Sequence, residues 1–113
     1  MKTLIKVEDH LKEELKDPYF REMYEIEMQK YQIIKKIIAY RIKNKWSQRQ
    51  LAEKAGVTQQ HVSKIESGDF SSVMTLAKLL LFIGYTIRIQ AVPLSLQKCH
   101  RIDQRQKGKL KAA

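Results

Sequence analysis

Between Trp46 and Gly68 the chain sets helix starts and helix stops so close together that only two very short helices fit. Ser47 is a good N-cap for a helix from Gln48 to Lys54, which Ala55-Gly56 ends. Thr58 caps a second helix from Gln59 to about Glu66, stopped by Ser67-Gly68. Two helices that cross steeply need a small residue where their backbones approach, and Ala52 supplies it. The turn between them needs a positive φ, which Gly56 adopts at no steric cost. Leu51, Ala55, Val57, Val62 and Ile65 are spaced to point into one shared core.

Composition says what such a chain meets. Its 113 residues make one domain, with room for an arm or tail, and 43% hydrophobic residues are enough for a modest core. Lysine and arginine number 22 against 12 acids, a net charge of +10 that favours an anionic partner. The excess is uneven: residues 1–30 carry −2, residues 31–92 carry +7 and residues 93–113 carry +5. No apolar run approaches the roughly 18–20 residues that cross a bilayer, so no membrane role is expected. The N-terminus turns acidic at Glu8-Asp9, unlike a secretion signal, and a single cysteine, Cys99, cannot form an internal disulfide. The expected location is cytoplasmic.

Along the chain, Leu4, Val7, Leu11 and Leu15 fall at helical spacing, and Asp17-Pro18 reads as a stop followed by a capped start. Phe20, Met23, Tyr24, Met28 and Tyr31 line the next helix, and Ile34, Ile37, Ile38 and Ile42 continue the pattern to about Lys43. One long helix and two abutting ones both fit; a break near Gln29–Tyr31 is expected. Another helix begins near Ser72, turns Met74, Ala77, Leu80 and Leu81 inward, and ends at Gly84. From Tyr85 to Val92 the pattern alternates, with Ile87 and Ile89 on one face, and predicts a strand. A lone strand leaves both edges unpaired, so a second copy of the chain or another protein's sheet is its expected partner, the copy being preferred. The alternative is a short extended tail lying on the helices. From Gln97 onward the chain is basic and apolar-poor, and a flexible tail is expected.

Residues 46–68, WSQRQLAEKAGVTQQHVSKIESG, resemble the phage-repressor (XRE) class of helix-turn-helix proteins, and the likeness covers about residues 31–84. It implies a mainly α fold: a phage-repressor-like helix-turn-helix bundle, here with an N-terminal helical extension and one C-terminal β-strand. Lys45 stands where a glycine is usual in that class. In such proteins the second helix of the motif enters the major groove. On this chain that turns Gln59, Gln60, His61, Ser63 and Lys64 toward double-stranded DNA, with Val62 and Ile65 facing the core.

The chemistry agrees. A glutamine amide offers the adjacent donor and acceptor that match adenine N6 and N7. The first helix of the motif starts at Ser47, Gln48 and Arg49, where free N–H groups and the positive dipole end suit phosphate. Lys43 and Lys45 add charge nearby, and Ser71 or Ser72 at the next helix start is a further candidate. The same positive charge would also serve an RNA-binding accessory protein. Trp46, between a helix end and a cap, is expected to cover the core edge more than to stack on a ligand.

Enzyme readings find no support. His10, His61 and His100 lie far apart without metal-ligand spacing, so no metal or cofactor is expected. Cys99 beside His100 on the tail is not a catalytic pair.

The layout as a whole is similar to the HigA-type antitoxins of bacterial toxin–antitoxin pairs. Residues 11–22, LKEELKDPYFRE, carry that likeness. It implies a dimer that represses its own operon and neutralises a small basic toxin of the ribonuclease type. Residues 1–30 would be the toxin-binding arm, 31–84 the DNA-binding domain, 85–93 the dimerisation strand and 94–113 the basic tail. Carboxylates of the arm (Glu8, Glu14, Glu22, Glu25 and Glu27) would oppose the toxin, with Phe20, Met23 and Tyr24 as apolar anchors. Two alternatives stay open: a stand-alone repressor, and an arm that packs on its own domain.

Overall fold

The computed structural model describes residues 2–103, with side chains from residue 8 onward. Its helices are α1 (Lys2–Glu14), α2 (Pro18–Lys43), α3 (Gln48–Ala55), α4 (Gln59–Glu66) and α5 (Val73–Ile83). A sixth, α6, is described over residues 96–103. The chain forms two compact units, one of Gln29–Gln90 and one that joins Met1–Met28 to Ala91–Ala113.

In the unit Gln29–Gln90, α3 and α4 are eight residues each, too short to persist alone in water. Burial holds them. Leu51 and Ala52 of α3 and Val62 and Ile65 of α4 join Ile37 of α2 and Leu76, Leu79, Leu80 and Ile83 of α5 in one core. Each large side chain in it contributes roughly 1.5–3 kcal/mol on leaving water. Half-buried Ala55, Val57 and Trp46 pack against this core. Trp46 thus covers the core edge, as expected.

The helix ends decide the path of the chain. Gly56 lies at φ +75°, and the amide N–H groups of Gly56 and Val57 both donate to the Ala52 carbonyl. α2 ends the same way, but on a lysine: Lys45 has φ +58°, and its N–H donates to the Ile42 carbonyl while that of Trp46 donates to Arg41. This double bond pattern is a Schellman closure, and its usual apolar contact is the Trp46 ring against Tyr40, 5.9 Å between centroids.

Four expectations need correction. Among the described residues there is no strand: Tyr85–Val92 is irregular backbone, with Ile87 packed on the core and Ile89 in solvent. With no second strand in the chain to supply a ladder, alternation alone does not hold this segment in a sheet. α2 runs without a break through Gln29–Tyr31, because no proline or glycine interrupts its backbone hydrogen bonds. The tail does not lose order at Gln97, since Ser95 caps α6 by accepting the Lys98 N–H at 3.2 Å. The tail beyond residue 103, and the side chains of Leu4 and Val7, lie outside the described residues. Finally, α5 buries Leu80 as expected, but with Leu76, Leu79 and Ile83 beside it, while Met74 and Leu81 stand 78% and 64% exposed. An apolar helix offers two registers at spacings of three and four, and packing chose the other one.

Replacing Gly56 with alanine should lower stability by about 1 kcal/mol through backbone strain alone, because a Cβ there would meet no atom within 4 Å. Lys45→Gly should raise stability by up to about 1 kcal/mol, as strain relief outweighs the added freedom of the unfolded chain. Urea denaturation of the two variants checks both signs.

Candidate nucleic-acid interface

At the start of α3 the Ser47 hydroxyl accepts the Gln50 N–H at 3.1 Å, and the Gln50 side chain accepts the Ser47 N–H at 2.8 Å. This capping box uses two donors of the helix end and leaves the N–H groups of Gln48 and Arg49 for an anion. Thr58 caps α4 with its hydroxyl alone, accepting the His61 N–H at 3.1 Å. The entry of each helix is thereby set by side chains that sit in the sequence at the caps.

Along α4, Val62 and Ile65 are buried, and Gln59, Gln60, Ser63 and Lys64 form an exposed row on the opposite side. His61 is only half exposed, because at about 100° per residue it falls on the flank next to Ile65. The helix therefore brings four of the five expected base-reading residues onto one outward face and leaves the histidine at its edge.

The expected phosphate residues are less uniform. Ser47, Arg49, Lys43 and Lys45 are exposed. Arg49 also reaches Glu53 one turn on, at 3.2 Å, an exposed pair worth little. Gln48 is half-buried and its amide donates to Glu66 at 3.3 Å, which leaves one side-chain N–H and the backbone N–H to face solvent. Of the expected arm residues, Met23 and Glu27 are exposed on α2, and half-buried Phe20 and Tyr24 stack with centroids 6.3 Å apart. Glu14 lies 3.7 Å from His10 on α1.

One cluster has no trace in the local pattern. The Arg41 guanidinium donates to both carboxylate oxygens of Glu66, each at 3.0 Å, and to the Trp46 carbonyl at 3.2 Å. The Glu66 side chain is only 7% exposed. This pair links the last turn of α2, the connector, the first residue of α3 and the end of α4. It sets where α4 lies relative to the α3 N-terminus. Nothing marks the two residues as partners at a separation of 25 positions; the one hint is an acid at the end of an otherwise neutral or basic helix.

Between α4 and α5 the Asp69 carboxylate accepts the Ser71 N–H at 2.9 Å. Hydrogen bonds from the Ser71 side chain and backbone, helped by Lys64 and Lys30, hold this carboxyl below the ordinary aspartate value. Ser72 then caps α5, its hydroxyl accepting the Thr75 N–H.

Residues 37–90 match the family model described as Helix-turn-helix. This stretch is a helix-turn-helix domain. Such a domain belongs to DNA-binding regulators of transcription, and the match runs from Ile37, the first core residue, through α3, α4 and α5. Curated proteins and solved structures give no match to the chain. Among the described residues no helix is long and apolar enough to cross a membrane, and no group of three or more His, Cys, Asp or Glu is placed to hold a metal ion.

Two measurements probe this domain. Arg41→Met strands Glu66 in a buried position and should cost about 3 kcal/mol, while adding Glu66→Met should recover most of the loss; a thermal denaturation cycle reads both. A carboxylate with a lowered folded pKa adds stability above its unfolded pKa and loses it as pH falls through the folded value. Accordingly, the Asp69 carboxyl should titrate at lower pH by NMR than an unstructured aspartate, and Ser71→Ala should move it part of the way back.

Proposed function

We propose that this chain is a HigA-type antitoxin: it reads operator DNA through α4 as a homodimer, represses its own operon, and neutralises a small basic toxin. The observation that carries the DNA half is the row Gln59, Gln60, Ser63 and Lys64, which faces outward while Val62 and Ile65 anchor the same helix in the core. Two adjacent glutamines suit adenine edges, and the cations Lys43, Lys45 and Arg49 suit phosphate. One eight-residue helix covers few base pairs, so useful specificity calls for two copies reading half-sites about 34 Å apart. The exposed apolar residues Met74 and Leu81 on α5 are available for such an association.

The toxin half rests on the likeness of residues 11–22 to the antitoxin arm and on the surface of α2. Met23, Ile26, Met28 and Tyr31 are all more than 40% exposed there. Beside them lie Glu22, Glu25 and Glu27. Apolar anchors set among carboxylates suit a basic protein partner. The alternative, a stand-alone repressor, draws support from a different observation: Glu22 lies 3.8 Å from Lys98 of the same chain, so part of the arm already has a partner.

Gln59→Ala combined with Gln60→Ala should abolish preference for the operator in gel shifts and leave salt-dependent non-specific binding intact; surviving preference would mean that another surface reads the bases. In pull-downs from the native host, a stoichiometric small basic protein should co-purify and be lost with Met23→Glu plus Glu27→Lys. Recovery of the chain with DNA alone favours the stand-alone repressor.

A further inference from the structure

The sequence places an acidic arm at one end and a basic tail at the other, but the fold sorts their charges differently. In the unit that joins Met1–Met28 to Ala91–Ala113, the end of α1, the start of α2 and α6 surround a recess of about 340 Å³. Five cations line it, Lys12, Lys16, Arg21, Lys98 and Arg101, together with Leu15 and Pro18. No carboxylate is among the lining residues.

We infer that this recess is a phosphate-binding site, separate from the surface offered by α3 and α4. Three of the lining cations have a carboxylate partner in the same unit. Lys16 meets Glu13 at 3.1 Å, Arg21 meets Glu25 at 3.5 Å and Lys98 meets Glu22 at 3.8 Å. The first two pairs are largely exposed and hold their cations weakly, and the third is a long contact to a half-buried Glu22. Asp17 is the nearest acid in the chain to Pro18, and its carboxylate accepts the Tyr19 N–H at 3.0 Å. Lys12 and Arg101 have no carboxylate within 4.0 Å among the described residues. Five cations against three paired carboxylates leave an excess of positive charge at the hollow, which a bound anion offsets.

Phosphate is the anion that fits this donor set. Arginine presents a planar fork to two phosphate oxygens, and lysines add point charges around it. Leu15 and Pro18 add apolar surface beside the cations. The same chain carries a helix-turn-helix domain, so phosphodiesters are the phosphate it meets at high density; this part of the inference rests on the DNA-binding reading. A small free polyphosphate offers the same chemistry and is the second source.

The test uses the full chain with Lys12→Gln and Arg101→Gln together, both at exposed positions. A control pair, Lys78→Gln with Arg88→Gln, removes equal charge from exposed positions in the other unit. Affinity for a duplex of arbitrary sequence is measured over a range of salt, and pyrophosphate is titrated separately while amide shifts of residues 12–21 and 98–101 are followed by NMR. If the recess holds two backbone phosphates, the drop in affinity between about 50 and 200 mM salt becomes about tenfold smaller in the test pair and not in the control. If the source is a small polyphosphate, the salt slope stays and pyrophosphate saturates the wild-type shifts but not those of the test pair. An unchanged slope together with no saturable pyrophosphate response overturns the inference. Failure of the base-reading assignment appears elsewhere, as operator preference that survives Gln59→Ala with Gln60→Ala.

Discussion

Everything in the helix-turn-helix domain depends on one buried layer shared by helices too short to exist without it. α3 and α4 have eight residues each, and nucleation alone would leave them mostly unfolded. Leu51, Ala52, Val62 and Ile65 hold them because Ile37 and the inner face of α5 complete the same core. Ala52 lets the two backbones approach, and the left-handed turn at Gly56 aims the second helix back across the first. With two of its apolar residues buried on one side, α4 has only its other side to offer, and that side carries the glutamines. The exposed row of α4 is thus a consequence of the core.

A second level of organisation comes from polar groups. Caps at Ser47, Thr58 and Ser72 satisfy backbone donors that a short helix cannot satisfy itself. The Arg41–Glu66 pair does something different, since it joins the ends of three elements. Burial makes such a pair costly to break and gives it little net stability, so its value here is positional. It keeps the start of α3 and the exposed row of α4 in one geometry. Gln48 takes part through Glu66, which ties the expected phosphate residue to the same cluster.

The other unit alters the meaning of the charge pattern. Read linearly, residues 1–30 are acidic and residues 93–113 basic. Folded, the two segments share one unit, Lys98 lies beside Glu22, and five cations line one hollow with no carboxylate among its lining residues. A linear charge count averages over faces of a helix that point in different directions, and therefore cannot show such sorting.

Caps, stops and short-range spacing determined the two short helices, their turn, the Trp46 edge and the outward row of α4, because each depends on residues within about four positions of one another. The left-handed backbone at Lys45 had no local mark, since a lysine rarely takes a positive φ. Tertiary structure decided what local pattern leaves degenerate. α5 is apolar on nearly every side, so only the available partner surface could select Leu76, Leu79 and Ile83 over Met74 and Leu81. Tyr85–Val92 has strand-like alternation, but a strand exists only where a ladder partner does. The Arg41–Glu66 pair and the cationic recess join residues far apart in the chain, and only folding brings such residues within reach of each other.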